Sequence, residues 1–315
     1  MRPAFSVIFL TTLCGAAQGL LLTLVAVEAA TRAIGAVVPS AFYVFGAASA
    51  VVLGVLGLAA SFFHLGHPER AWRAITMWRT SWLSRECIAL PIFLSLVAAY
   101  GAAHWAGMSA TLEIGALAAA SSIALFVCTA MIYACLRFLQ EWASPFTLVN
   151  FVLLGCASGC TLATACAAWL APALVGILAA FSCLLTLAGC ATRLASLARN
   201  ARLKPKSTVQ SATGIHDAKV EQKSRGFTAS AFNTREFFHG KTGATLQAVK
   251  VGFMIGAFAV PFVLTGAGAL APRSAAAAVA LGAAFVIQYA GLLAERWFFF
   301  ADARHPQNIY YQRAS

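Results

Sequence analysis

The chain has 315 residues, 61% of them hydrophobic and 10% charged, against about 45–50% and about 25% in an ordinary soluble domain. That composition excludes a soluble globular protein. Its 22 lysines and arginines outnumber 10 acidic residues, for a formal charge of +12; in a soluble chain this would raise nucleic-acid binding, but here the basic residues lie between apolar runs, so they bear on topology and no nucleic acid is implied.

Apolar runs bounded by charge, Pro or Gly predict eight membrane spans, near 5–28, 38–63, 87–106, 112–137, 146–169, 172–194, 247–270 and 275–298. The runs are too long and too uniformly apolar for barrel strands of about ten alternating residues, so the expected fold is all-α, one polytopic domain over 1–315. Arg2 and the small residues Gly15-Ala16-Ala17 imitate a signal peptide, but the run continues to Val27, and the first span is expected to be retained.

Of the 22 basic residues, only Arg32 and Arg273 fall on the side opposite the N-terminus. The bias survives when the long sixth connection is set aside, and it puts both termini in the cytoplasm. The same side carries the larger connections: segment 64–86, the basic loop 195–246 and the tail 299–315. The loop opens with a Lys204-Pro205-Lys206 stretch suited to an unstructured, lipid-hugging segment. Its second half, "GFTASAFNTREFFHGKTGAT", sets phenylalanines among polar residues and reads as ordered by contact. No internal repeat is convincing in the sequence.

All nine cysteines fall in spans or at span boundaries and none forms a Cys-x-x-Cys, so no iron–sulfur cluster is expected in this chain and the thiols read as small hydrophobes. The spacing of Cys156 and Cys160 puts them on one helix face, where small-residue packing is the better reading. The histidines, His64, His67, His104, His216, His239 and His305, all lie away from span centres. A pair of haems stacked across the bilayer therefore has no ligands, and no haem is expected, although a single surface haem between His64 and His305 stays open.

Ionisable residues within spans mark function by default, and the midplane has almost none. Glu28 and Glu113 read as far-side helix ends, Glu86 and Glu295 as cytoplasmic ends, and Gln18, Thr161 and Gln288 as isolated polar positions. That argues against an ion-coupled transporter. The richest stretch is "SFFHLGHPERAWRAITMWRTSWLSRE" at 61–86. His64 closes the second span and Glu86 opens the third, so the two share a depth near the cytoplasmic boundary. Between them Pro68 suits a first helical turn, and Ala71, Ile75, Trp78 and Trp82 recur at i, i+4, i+7 and i+11, predicting an amphipathic helix on the membrane surface. A His and a carboxylate at the mouth of an apolar cleft suit a quinone, whose two oxygens must be hydrogen-bonded and exchange two protons in each two-electron cycle. The competing reading is that both residues only cap helices and snorkel.

"HLGHPERAWRA" followed by "MWRTSWLSRE" resembles the membrane anchor subunit of bacterial dimethyl sulfoxide reductase, the DmsC family. The resemblance spans the chain in length and layout. It is specific at His-Leu-Gly 64–66, at Leu-Ser-Arg-Glu 83–86 and at the ending "ERWFFFADARHPQNIYYQ". It implies a haem-free anchor that holds a molybdopterin catalytic subunit and an iron–sulfur electron-transfer subunit on the cytoplasmic face and exchanges electrons with menaquinone or ubiquinone. It also implies quinol-binding roles for His64 and Glu86. Within the family, "PAFSVIFLTTLCGAAQGL", "FNTREFFHG" and the tail are more similar to the branch that serves cytoplasmic sulfite-oxidising enzymes.

The sequence thus predicts a bacterial inner-membrane anchor and quinone-exchange subunit of a molybdopterin oxidoreductase, working in anaerobic respiration or sulfite oxidation. The expected quinone-site residues are His64, Glu86, Arg70, Arg73, Trp78 and Trp82, with no catalytic group and no metal of its own. The alternatives are a small-molecule transporter and a purely structural anchor.

Overall fold

The computed structural model describes residues 1–63, 65–205, 207–221, 239–270 and 274–306. Its helices are α1 (Phe5–Ala33), α2 (Ser40–Phe62), α3 (Trp82–Trp105), α4 (Thr111–Ala134), α5 (Pro145–Leu170), α6 (Val175–Ala201), the short α7 (Val209–Thr213), α8 (Gly243–Leu270) and α9 (Ala275–Ala301). All but α7 are long and apolar enough to cross a membrane, α6 together with the 3-10 turn Pro172–Leu174 before it. The fold is the expected all-α polytopic bundle, with no strand among the described residues.

Local chemistry explains the ends. Ser81, Ser144, Thr242 and Ser274 each precede a helix and accept a backbone N–H from its first turn. Inside α8 the backbone widens into a π-turn at Ile255–Ala259. Two residues later Pro261 offers no N–H to the Ala257 carbonyl, and that oxygen accepts from Gln288 Nε2 of α9 at 3.4 Å. A polar side chain on a neighbouring helix thereby satisfies backbone that hydrocarbon could not.

Two four-helix rings make up the bundle. In the first, α1 packs on α2 and α4, and α3 closes the ring between them; in the second, α5 packs on α6 and α9, with α8 between. The cross-contacts are reciprocal, α4 with α5 and α9 with α1, about the central α1–α5 pair. This is a pseudo-two-fold arrangement along the helix axes, visible in packing although the sequence shows no convincing repeat.

The α1–α5 contact is glycine-made. Gly15 and Gly19 face Gly155 and Gly159, and a Cβ on Gly19 would stand 2.7 Å from Cys156 Cα, so only glycine lets the backbones approach this closely. Outward-facing Phe45, Val52 and Leu56 of α2 and Val279 and Val286 of α9 are exposed in the isolated chain, as lipid-facing side chains should be.

Several helices run past their expected bounds, and in α1, α6 and α9 the extra turns change the reading of the charges. α1 continues to Ala33, so Glu28 is not a helix end but a buried position more than a turn inside. α6 continues to Ala201, so Arg193 is not at the edge of the basic loop but a buried position two turns inside the helix. α9 continues to Ala301 and buries Glu295 and Arg296. Most of the aromatic second half of loop 195–246 lies outside the described residues, as does the tail beyond residue 306.

Candidate functional site

Glu86 sits in the opening turns of α3, which Ser81 caps. It is buried, at 8% exposure, and its Oε1 accepts the hydroxyl proton of Thr129 on α4. A carboxylate within an apolar bundle is costly unless it is hydrogen-bonded. The preceding residue, Arg85, works on the loop instead: Nε donates to Trp78 O at 2.9 Å, Nη2 to Arg79 O at 2.7 Å, and the guanidinium lies 4.3 Å over the Trp82 ring. Arg85 thus ties the loop to α3 beside the buried carboxylate.

The loop differs from its prediction. Pro68–Ile75 forms a 3-10 helix rather than an α-helix, followed by turns to Thr80, and none of its residues is buried. Three residues per turn break the i, i+4, i+7, i+11 stripe on which an amphipathic α-helix would rest. Arg73 and Arg79 instead lie over the neighbouring rings of Trp72 and Trp78, at 5.5 and 5.4 Å. Arg70, Arg73 and Trp78 are exposed and Trp82 is half-buried. Among the described residues, Glu86 takes its hydrogen bond from Thr129 and not from these arginines or tryptophans. His64 lies outside the described residues, and with it the surface-haem alternative.

A second cluster occupies the same end of the other ring. Arg193 Nε of α6 lies 2.7 Å from Glu295 Oε1 of α9, both side chains being 2–3% exposed. Arg296 lies 3.8 Å from the other oxygen, with its guanidinium 3.7 Å over the Phe151 ring and 5.2 Å from that of Phe299. Two cations share one carboxylate. Tyr133 connects the two clusters: it stands one turn beyond Thr129 on α4 and stacks on Phe151 at 5.7 Å. From sequence Glu295 reads as a helix end; the signal for its real setting is the Glu-Arg pair inside an apolar run.

The opposite end carries a third cluster that the sequence does not predict. Glu28 accepts from Tyr100 Oη at 2.8 Å and from Thr111 Oγ1, and pairs with Arg32 Nη2 at 2.7 Å; His104 Nε2 is 3.1 Å away. Tyr43 stacks on His104 with centroids 4.3 Å apart. The available signal is the i, i+4 spacing of Glu28 and Arg32. The remaining partners come from α3 and α4 and cannot be paired from spacing alone. No group of three metal-ligating side chains occurs among the described residues.

An all-helical membrane bundle with buried carboxylates at its ends, and an arginine–tryptophan loop over one of them, defines the class of multi-pass membrane subunits with end-of-bundle polar sites. A profile of the DMSO reductase anchor subunit (DmsC) family matches residues 1–300. The chain is also similar to a sulfite dehydrogenase subunit of Allochromatium vinosum, with 51% identity over 328 aligned positions that cover 99% of each chain. The chain belongs to the DMSO reductase anchor subunit (DmsC) family. No solved structure matches it.

Proposed function

We propose that the protein is the membrane anchor and quinone-exchange subunit of a molybdopterin oxidoreductase complex of the sulfite-oxidising kind. The observation that carries the reading is the buried Glu86–Thr129 pair beneath the loop that begins at His64. A quinone headgroup entering there would meet a carboxylate inside the bundle that can exchange protons with it during reduction; His64, proposed from the sequence, would be the second proton-exchanging group. Electrons would come from the iron–sulfur subunit docked on the face bearing the Arg70, Arg73 and Arg79 loop, with the molybdopterin subunit behind it. Trp78 and Trp82 would wall the entrance. The 51% identity to a sulfite dehydrogenase subunit favours electron flow from the catalytic partner to menaquinone or ubiquinone over the reverse. The setting is the bacterial inner membrane with both termini cytoplasmic, supported by the charge bias.

The test is sulfite-dependent quinone reduction in membranes carrying the complex. His64→Ala and Glu86→Gln should each slow it roughly a hundredfold while the three subunits still co-purify. Wild-type turnover in both variants would leave a purely structural anchor as the reading.

A further inference from the structure

α1 and α4 run antiparallel with a fixed register. Glu28 bonds to Thr111, and a Cβ on Gly115 would stand 3.2 Å from Val25 Cγ2. Two turns along each helix from Val25 and Gly115, towards the Glu86 end, Gln18 is level with Ser122. Two further turns bring Thr11 level with Thr129, the donor to Glu86. α3 keeps step, since Tyr100 packs on Gly115 and Glu86 meets Thr129. Gln18, isolated in the sequence, thus shares its level with a second buried polar residue at mid-depth.

Gln18 is 1% exposed and Ser122 0%, yet Gln18 Oε1 and Ser122 Oγ have no hydrogen-bond partner among the described residues. Buried polar atoms are almost always partnered, by protein or by ordered water. The register sets both at one level along the α1–α4 seam, near the bundle centre, with titratable groups at both ends. At one end is Glu86. At the other, Glu28 and His104 are joined by Tyr100, whose hydroxyl reaches Glu28 while its ring rests on Gly115. Gln18 and Ser122 lie about 10.5 Å, two helical turns, from the Thr129 level and about 15 Å from Glu28, gaps that a chain of water molecules would bridge past the small side chains of Ala118 and Ala119.

We propose that this seam carries protons between Glu86 and the Glu28–His104 cluster, through waters held at Gln18 and Ser122. The proposal rests on the quinone reading above. Reduction of one quinone takes two electrons from the iron–sulfur partner on the Glu86 side and two protons; the seam supplies those protons from the opposite face, and the quinol leaves into the membrane. Electrons and protons then arrive from opposite sides, so each turnover charges the membrane. Arg32, half exposed beside Glu28, and Tyr43, stacked on His104, are the other groups facing the far end.

The test uses the whole complex in phosphatidylglycerol vesicles containing ubiquinone or menaquinone, partner subunits outward as shown by external protease. Dithionite outside reduces the iron–sulfur partner, quinone absorbance reports turnover, trapped pyranine reports lumenal pH, and tetraphenylphosphonium uptake reports potential. The expected result is quinone reduction accompanied by an alkaline, negative lumen. Assembled Gln18→Leu and Ser122→Ala complexes should reduce quinone roughly tenfold more slowly and lose the lumenal change; Ser122→Ala removes a single oxygen and keeps the packing. Quinone reduction by the wild type with lumenal pH constant, or full rate and full charging in both variants, overturns the seam and leaves the quinone site standing. Full rate in His64→Ala and Glu86→Gln instead overturns the quinone reading, while the lumenal trace still judges the seam.

Discussion

Thr129 on α4 donates its hydroxyl to the carboxylate of Glu86 on α3, joining two antiparallel helices at the end of the bundle where the arginine–tryptophan loop sits. The bond is buried, so its loss is not made good by solvent. Thr129→Val keeps the shape of the side chain and removes the donor, leaving the carboxylate under-bonded at a cost of about 1–3 kcal/mol. Thr129→Ser restores the oxygen and should recover most of it. Thermal unfolding of the detergent-purified protein checks the stability, and quinone-linked turnover checks the site: Val should impair both and Ser neither.

The α1–α5 interface predicts a sharper steric rule. A Cβ on Gly159 would stand 2.6 Å from Gly19 Cα, whereas one on Gly189 would meet side chains, the end of Leu154 at 3.1 Å, Phe258 at 3.7 Å and Leu153 Cβ at 4.0 Å. Backbone cannot yield as a side-chain tip can. Gly159→Ala and Gly19→Ala should each cost about 1–3 kcal/mol or more through overpacking, while Gly189→Ala should be tolerated. The fraction recovered as a monodisperse peak on size exclusion in mild detergent separates them; equal recovery of all three would show that the helices part easily.

Glu141, in the connection between α4 and α5, predicts a pH effect. Burial holds its carboxyl above the usual carboxylate range and the nearby Asp302 charge adds to this, while backbone N–H groups, including that of Arg304, and the Arg304 guanidinium oppose it. The folded protein therefore favours the protonated form. This contribution to stability is complete below the ordinary carboxylate value and is lost as pH rises through the higher folded value. Wild type should lose more thermal stability than Glu141→Gln as pH rises from the ordinary carboxylate value through the raised folded one. Parallel melting curves for the two proteins would refute the assignment.

Much of this architecture is legible in the sequence because its cause is local. A run such as 40–62 is long, mostly apolar and free of charge, and hydrocarbon favours a helical backbone for it. The packing partners are not local. Nothing in the spacing of Glu28 announces Tyr100, His104 and Thr111, which lie 72, 76 and 83 residues away, and Gln18 reads as solitary because Ser122 is on another helix. The stripe at 68–82 misleads for a different reason: apolar residues at helical spacing do not show whether a segment tethered between two spans has length enough to form α-helix. A helix end is misplaced where charge is taken to stop a span, as at Glu28, although paired charge can be carried inside.

That pairing gives the last prediction. Arg193 and Arg296 share the single carboxylate of Glu295, and all three are buried among Phe151, Phe253 and Phe299. Removing one partner from a buried ion pair costs about 3–5 kcal/mol, because an uncompensated charge is left behind. The triad makes the cost unequal. Arg193→Met leaves Glu295 with Arg296, one charge of each sign, whereas Glu295→Gln leaves two guanidinium groups with no counter-charge in an apolar setting. Glu295→Gln should therefore be the more damaging, and Arg193→Met should fall toward the lower end of that range. Thermal unfolding of both variants in detergent decides it; if Arg193→Met is the worse, the Arg193–Glu295 contact carries the stability and Arg296 is held by its aromatic neighbours alone.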